Sequence, residues 1–154
     1  MKDNQLLRDI KDLLNIQRFC VVATTFEGHP YMNLVSYANT DDLHTILFAT
    51  LRNTRKYKNI ILDPRTSILV DNRKNSPNDL KEAVTVTALG KSKEVDSNKK
   101  KKIRTYLSRH PYMREFISNP DCALIEVNVE KYIYVSKFQD VKVIELDIDR
   151  KTNN

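Results

Sequence analysis

Thr54, Arg55 and Lys56 stand together inside Phe48-Ala49-Thr50-Leu51-Arg52-Asn53-Thr54-Arg55-Lys56-Tyr57-Lys58-Asn59-Ile60. The stretch begins β-rich and apolar, turns polar, and then takes helical spacing, so it reads as strand, turn and helix. The start of a helix presents free backbone N–H groups and the positive end of its dipole, and both attract anions. A hydroxyl, a guanidinium and an ammonium at that point make a pocket for a phosphate. Arginine adds a planar fork that matches paired oxygens. Lys56 and Asn59 are three apart and share a helix face. Plainer roles exist for each residue: Thr54 as a helix cap, Arg55 and Lys56 as exposed helix positions.

Other chemistries find less support. Cys20 and Cys122 form no CxxC unit and sit among apolar neighbours, so they read as buried, reduced thiols. His29, His44 and His110 are scattered without metal-ligand spacing, and no metal is expected. The net charge of +6 favours anionic partners. Much of it lies in Lys99-Lys100-Lys101-Lys102 and Arg104, after a helix cap at Ser97-Asn98. No aromatic residue interleaves these lysines, which reads as a solvated helix face rather than a nucleic-acid surface.

The elements that must position the turn follow from pattern. At 154 residues with 40% hydrophobic side chains, a single domain with its own core is expected over residues 1–148. Residues 149–154 read as a disordered tail. No apolar run matches a bilayer, and Met1-Lys2-Asp3-Asn4-Gln5 has no signal-peptide core, which points to the cytoplasm. Leu6, Leu7, Ile10, Leu13 and Leu14 predict an opening amphipathic helix capped by Asp3 or Asn4. Strands are expected at 19–25, 31–38, 43–50, 66–71, 83–95, 121–136 and 141–146, with Gly28 in a turn and Gly90 at a bulge. Helices are expected at 54–62, 97–107 and 111–117, and a loop at 72–81. The result is a mainly β protein, a small antiparallel barrel with peripheral helices.

The order of motifs resembles a known family. It runs Ala23-Thr24-Thr25, Gly28-x-Pro30, Asn33-Leu34-Val35-Ser36-Tyr37, Phe48-Ala49-Thr50, Thr54-x-Lys56-x-x-Asn59, Asp63-Pro64-Arg65 and a later strand carrying Gly90. Across nearly the whole chain this is similar to the FMN-binding split barrels named after pyridoxamine 5′-phosphate oxidase. The resemblance implies a six-stranded split barrel that forms a homodimer, with FMN at the subunit interface. It implies that Ser36 and Tyr37 lie along the flavin mainly through their backbone, and that Thr50 approaches the ring or ribityl chain. Arg55 and Lys56 take the place of the basic pair that grips the phosphate, Thr54 that of its small hydroxyl, and Asn59 shares their helix. Thr85 falls near a position that hydrogen-bonds the ring edge.

The chain departs from the true oxidase subgroup. That subgroup carries an arginine in the strand before the flavin and Arg-Leu-x-Pro near its C-terminus. Here Leu34 to Asn39 contains no arginine, the end reads Val143-Ile144-Glu145-Leu146-Asp147-Ile148, and tryptophan is absent. Oxidation of vitamin B6 phosphates is therefore not expected. The leading expectation is an FMN-dependent oxidoreductase of unnamed small-molecule substrate, drawing on NADH or NADPH. No side chain stands out as acid or base; Tyr37 and His29 are the candidate helpers, and His29, in a turn, is expected to face solvent. A non-enzymatic flavin or haem binder, or a deazaflavin or FAD protein, is the alternative.

Overall fold

The computed structural model describes residues 2–147. In chain order the elements are α1 (Lys2–Ile16), β1 (Phe19–Phe26), β2 (His29–Asn39), β3 (Thr45–Leu51), α2 (Arg55–Leu62), β4 (Arg65–Asp71), α3 (Asp79–Glu82), β5 (Thr85–Glu94), α4 (Lys99–Arg109), a 3-10 turn (Pro111–Met113), α5 (Arg114–Ser118), β6 (Cys122–Ser136) and β7 (Asp140–Glu145). All seven expected strands are present. The expected tail at 149–154 lies outside the described residues.

The strands form one antiparallel sheet in the order β3-β2-β1-β4-β5-β6-β7, and β3 also pairs with β6. That last pairing closes six strands into a ring and leaves β7 as an addition on β6. β2 and β3 pair only from Tyr37↔Phe48 to Asn39↔Ile46, so the first part of β2 runs free of β3. This is the split in the barrel.

Several local expectations need correction. Helix α1 starts at Lys2, ahead of both residues read as its cap. The loop at 72–81 runs into a single helical turn, because the Asp79 carboxylate accepts the backbone N–H groups of Lys74 and Ser76. Asn98 precedes α4 in the left-handed region and makes no side-chain cap. The segment after His110 begins as a 3-10 turn before α5.

Two apolar layers hold the barrel. Inside, Leu6, Ile10, Leu13 and Leu14 of α1 pack with Val22, Tyr37, Phe48, Ile68 and Tyr132. Each large apolar side chain buried this way contributes roughly 1.5–3 kcal/mol. Outside, Ala38, Leu47, Val95, Tyr106 and Leu124 form a second cluster, onto which Ile103, Leu107, Met113 and Ile117 of the α4–α5 region pack. Glu126 is buried in this outer layer and pairs with Lys102 of α4 and with Lys93. Lys102 is thus half-hidden and structural, while Lys99, Lys100 and Lys101 face solvent.

Arg109, at the end of α4, reaches back to the end of α1. Its guanidinium donates to the carbonyls of Leu14, Asn15 and Gln17 and to Asn39 Oδ1. The last carbonyls of a helix lack intrahelical donors, so one planar fork satisfies what α1 leaves open. Arg109→Ala is expected to lower unfolding free energy by about 2 kcal/mol, the worth of charge-assisted bonds lost together. Thermal unfolding checks this, and Arg109→Lys should recover only part of the loss.

The ladder aligns one outward row across six strands: Leu34, Val21, Leu69, Thr87, Ile133 and Val143. Leu34 is 70% exposed, Met32 67% and Val143 53%. A single chain therefore shows water a broad, largely apolar sheet face. Among the described residues no helix is long and apolar enough to cross a membrane.

Candidate functional site

Strand β3 ends, turns and starts α2 within five residues. Thr50 is buried at the strand's end and Thr54 caps α2, accepting the Tyr57 N–H. The two hydroxyl oxygens are 2.9 Å apart, and Thr54 Oγ1 donates to the Leu51 carbonyl at 2.8 Å. Lys56 folds over this pair and its Nζ donates to Thr50 Oγ1 at 3.4 Å. Lys56 is half-buried, and no carboxylate pairs with it among the described residues. Burial lowers its pKa from the ordinary 10.5, while the nearby Tyr31 phenol opposes that shift. Arg55 is exposed, with its guanidinium carbon 4.9 Å from the centre of the Tyr31 ring.

A clamp fixes this turn. Arg52 Nε donates to Glu94 Oε2 at 3.2 Å, its Nη2 binds the other carboxylate oxygen, and its Nη1 donates to the Pro120 carbonyl at 2.7 Å. Tyr57 OH donates to Glu94 Oε2 at 2.8 Å. The Arg52 bonds hold the Glu94 carboxyl below its usual range, and Glu94 raises the Tyr57 phenol. The clamp ties the turn, the first part of α2 and the end of β5 together. Arg52 and Tyr57 lie within the stretch that drew attention in sequence. Glu94 lies 42 residues from Arg52, and no local signal pairs the two.

The remaining expected residues are spread wider. Asn59 is buried, and its amide donates to Thr24 Oγ1 at 3.0 Å, so it ties α2 to β1. Ser36 is on the outer side of β2, its hydroxyl 2.7 Å from that of Tyr106. Tyr37 belongs to the core. Its hydroxyl donates to the Leu14 carbonyl, its N–H to the Arg18 carbonyl, and its own carbonyl meets His110 Nε2 at 2.7 Å. Its N–H and hydroxyl donate within the chain and burial raises the phenol pKa, so the Tyr37 side chain is a core residue rather than a proton donor, while its carbonyl, with two lone pairs, already accepts one bond. Thr85 starts β5, opposite Asp71 and Val135, at the far end of that strand from Glu94. One chain therefore brings Thr50, Thr54, Arg55 and Lys56 together and leaves Thr85 apart. His29 begins β2 and is exposed, while His110 is buried with Nε2 and Nδ1 both hydrogen-bonded.

Asn33, which in sequence stands only as the first residue of the Asn33–Tyr37 motif, gains a separate place in the fold. It lies on the stretch of β2 that β3 does not pair, and its Oδ1 is buried with no hydrogen-bond partner among the described residues. Buried polar atoms are rarely left unpaired, which sets this acceptor apart.

A ring of six antiparallel strands, split between β2 and β3 and carrying a cationic strand-to-helix turn at the split, defines a split-barrel protein. The family model described as pyridoxamine 5′-phosphate oxidase matches residues 6–136, and the chain belongs to that family. No protein of curated function matches it in sequence. A solved structure from Clostridium acetobutylicum, related to general stress protein 26, is similar at 17% identity over 95% of this chain and 96% of that one, with a TM-score of 0.70. A heme-binding protein from Mycobacterium smegmatis superposes with a TM-score of 0.77 at 17% identity, over 86% of this chain. This chain covers only 55% of that protein's length. A FAD-binding protein from Mesorhizobium loti gives 0.63 at 20% identity, over 82% of this chain and 91% of that one. At these identities the likeness concerns the fold.

Proposed function

We propose that the chain is an FMN-binding flavoprotein and an oxidoreductase, with the flavin phosphate held by Thr54, Arg55 and Lys56. The observation that carries this reading is Lys56: a half-buried ammonium at a helix N-terminus, beside an arginine and two hydroxyls, with no carboxylate paired to it among the described residues. A phosphate dianion supplies the missing charge. The orphan acceptor of Asn33 fits a cofactor whose sugar-like chain is rich in hydroxyl donors. When bound, FMN supplies two-electron redox chemistry at its ring. The chain's own residues bind the phosphate, offer the outer side of β2 near Ser36 to the ring, and keep the turn rigid through Arg52 and Glu94.

The exposed row from Leu34 to Val143 supports a homodimer, in which a second copy covers the apolar face. Thr85 is on this face, so its contact with a flavin would be made across the interface. The turn itself holds no histidine, aspartate or glutamate, and its one phenol, Tyr57, is tied to Glu94, so the flavin supplies the chemistry. A cytoplasmic location and a nicotinamide donor belong to the same proposal.

The test is the visible spectrum of protein incubated with FMN and desalted, beside an Arg55→Ala/Lys56→Ala variant. Flavin bands in the native protein and their loss in the variant are the expected result. Bands of equal strength in both would move the phosphate elsewhere, and no bands in either would remove FMN.

A further inference from the structure

On the other side of α2 from Ile60, a cleft of about 660 Å³ opens between that helix and the β1–β2 hairpin. Its size falls within the ~300–1,000 Å³ range of small-molecule sites. The walls are of two kinds. Phe26, Tyr31 and Leu62 give apolar and aromatic surface, while His29, Arg55 and Lys58 give nitrogen donors. No aspartate or glutamate lines it, and neither Arg55 nor Lys58 is ion-paired among the described residues. Phe26 is 43% exposed and Leu62 68%, both costly to leave in water unless something covers them.

The spacing along α2 explains the arrangement. Arg55, Lys58 and Leu62 recur at three and four residues and so form one stripe, facing the hairpin. The hairpin itself is held by the two-residue turn Glu27-Gly28, whose φ values are 48° and 80°. That turn sets Phe26 directly opposite His29 in the ladder. Arg55 belongs both to this cleft and to the phosphate turn, so a phosphate held at the turn has an open, cationic way into the cleft.

Aromatic walls, fixed cations and no carboxylates fit an aromatic base carrying phosphate. We infer that this cleft binds the adenosine-phosphate half of a dinucleotide, with Lys58 and Arg55 on phosphate oxygens and Phe26 against the base. The inference rests on the flavin reading. It adds a second ligand moiety beyond the flavin phosphate, from one of two sources: FAD held in place of FMN, or the nicotinamide dinucleotide that reduces bound FMN.

The test compares riboflavin, FMN, FAD and NADH on the full chain, with Phe26→Ala and Lys58→Gln as exposed, fold-neutral variants. If the adenosine half belongs to FAD, native protein binds FAD about tenfold tighter than FMN, the worth of one base stack. Both variants then erase that gap and leave FMN unchanged. If it belongs to the reductant, FAD and FMN bind alike, and both variants weaken NADH for the FMN-loaded protein by a similar factor. Neither effect in either variant overturns the inference while leaving FMN binding intact. Should no flavin bind, the flavin reading fails separately, and calorimetry with ADP decides the cleft. Binding lost in Lys58→Gln keeps it, and no heat in native protein removes it.

Discussion

Gly90→Ala should fold poorly and melt well below the native protein. A Cβ built at Gly90 lies 2.1 Å from the Asn128 carbonyl oxygen, 2.9 Å from its carbon and 3.0 Å from the Val129 Cα. All three are backbone atoms of β6, so no side chain can rotate away. The register slips here: Leu89 pairs with Lys131 and Gly90 with Val129, leaving Glu130 as the extra residue of a bulge. Making room means parting the long β5–β6 ladder that carries the barrel wall. Overpacking usually costs ~1–3 kcal/mol, and a backbone clash this deep belongs at or above the upper end. Against a total stability of ~5–15 kcal/mol, that removes a large share. Soluble yield and thermal unfolding read the outcome. A normal yield with an unchanged melting temperature would show that β6 yields easily. Gly28→Ala is the control: φ is +80° there but nothing lies within 4 Å of the added carbon, so only backbone strain of about 1 kcal/mol is expected.

Lys56→Met should weaken FMN by about 100-fold, which corresponds to losing one charge-assisted phosphate contact, and leave riboflavin untouched. The same variant should keep or gain thermal stability, because it removes an ammonium that folding strips of water without giving it a counter-charge. Cofactor loss coupled to retained stability separates a binding role from a packing role. The pH dependence follows from the sign of the shift. Lys56 titrates below its ordinary 10.5 in the free protein, and a phosphate dianion pulls it back up. FMN affinity should therefore fall as pH rises through the lowered Lys56 pKa. It should also fall on acidification through about pH 6, where a phosphate monoester takes up its second proton. Titrations of FMN against riboflavin from pH 5 to 11 follow both limbs. An FMN-to-riboflavin ratio with no fall on the alkaline side would exclude Lys56 as the phosphate's partner.

The two glycines show why so much of the fold is legible in sequence. With only two in the chain, each marks a special place: a tight turn at Gly28 and a close backbone approach at Gly90. Gly28 takes a positive φ and Gly90 meets a carbonyl pressed against its α-carbon. The strands announced themselves by alternation, and α2 by its cap and the proline that follows it. The cationic turn is readable because its residues are neighbours in the chain. What stayed hidden depends on distant partners. Tyr37 reads as a strand residue facing a ligand, but its hydroxyl reaches Leu14 and its carbonyl meets His110, 23 and 73 residues away. Lys102 reads as one lysine among four, and only Glu126 beneath it gives it a separate role. Thr85 reads as a ring-edge contact, which one copy of the chain does not bring to the turn.

The closure of the ring by β3 and β6 also sets the order in which the barrel can be completed. Thr45–Leu51 pairs with Cys122–Asn128, so β3 is made some seventy residues before its second partner. During synthesis β1, β2, β4 and β5 can find one another while the apolar strand Thr-Ile-Leu-Phe-Ala-Thr-Leu keeps one edge bare. Such an edge is a template for other chains. A polypeptide released before Cys122 should thus aggregate through β3, whereas one that reaches Asn128 can seal its own wall.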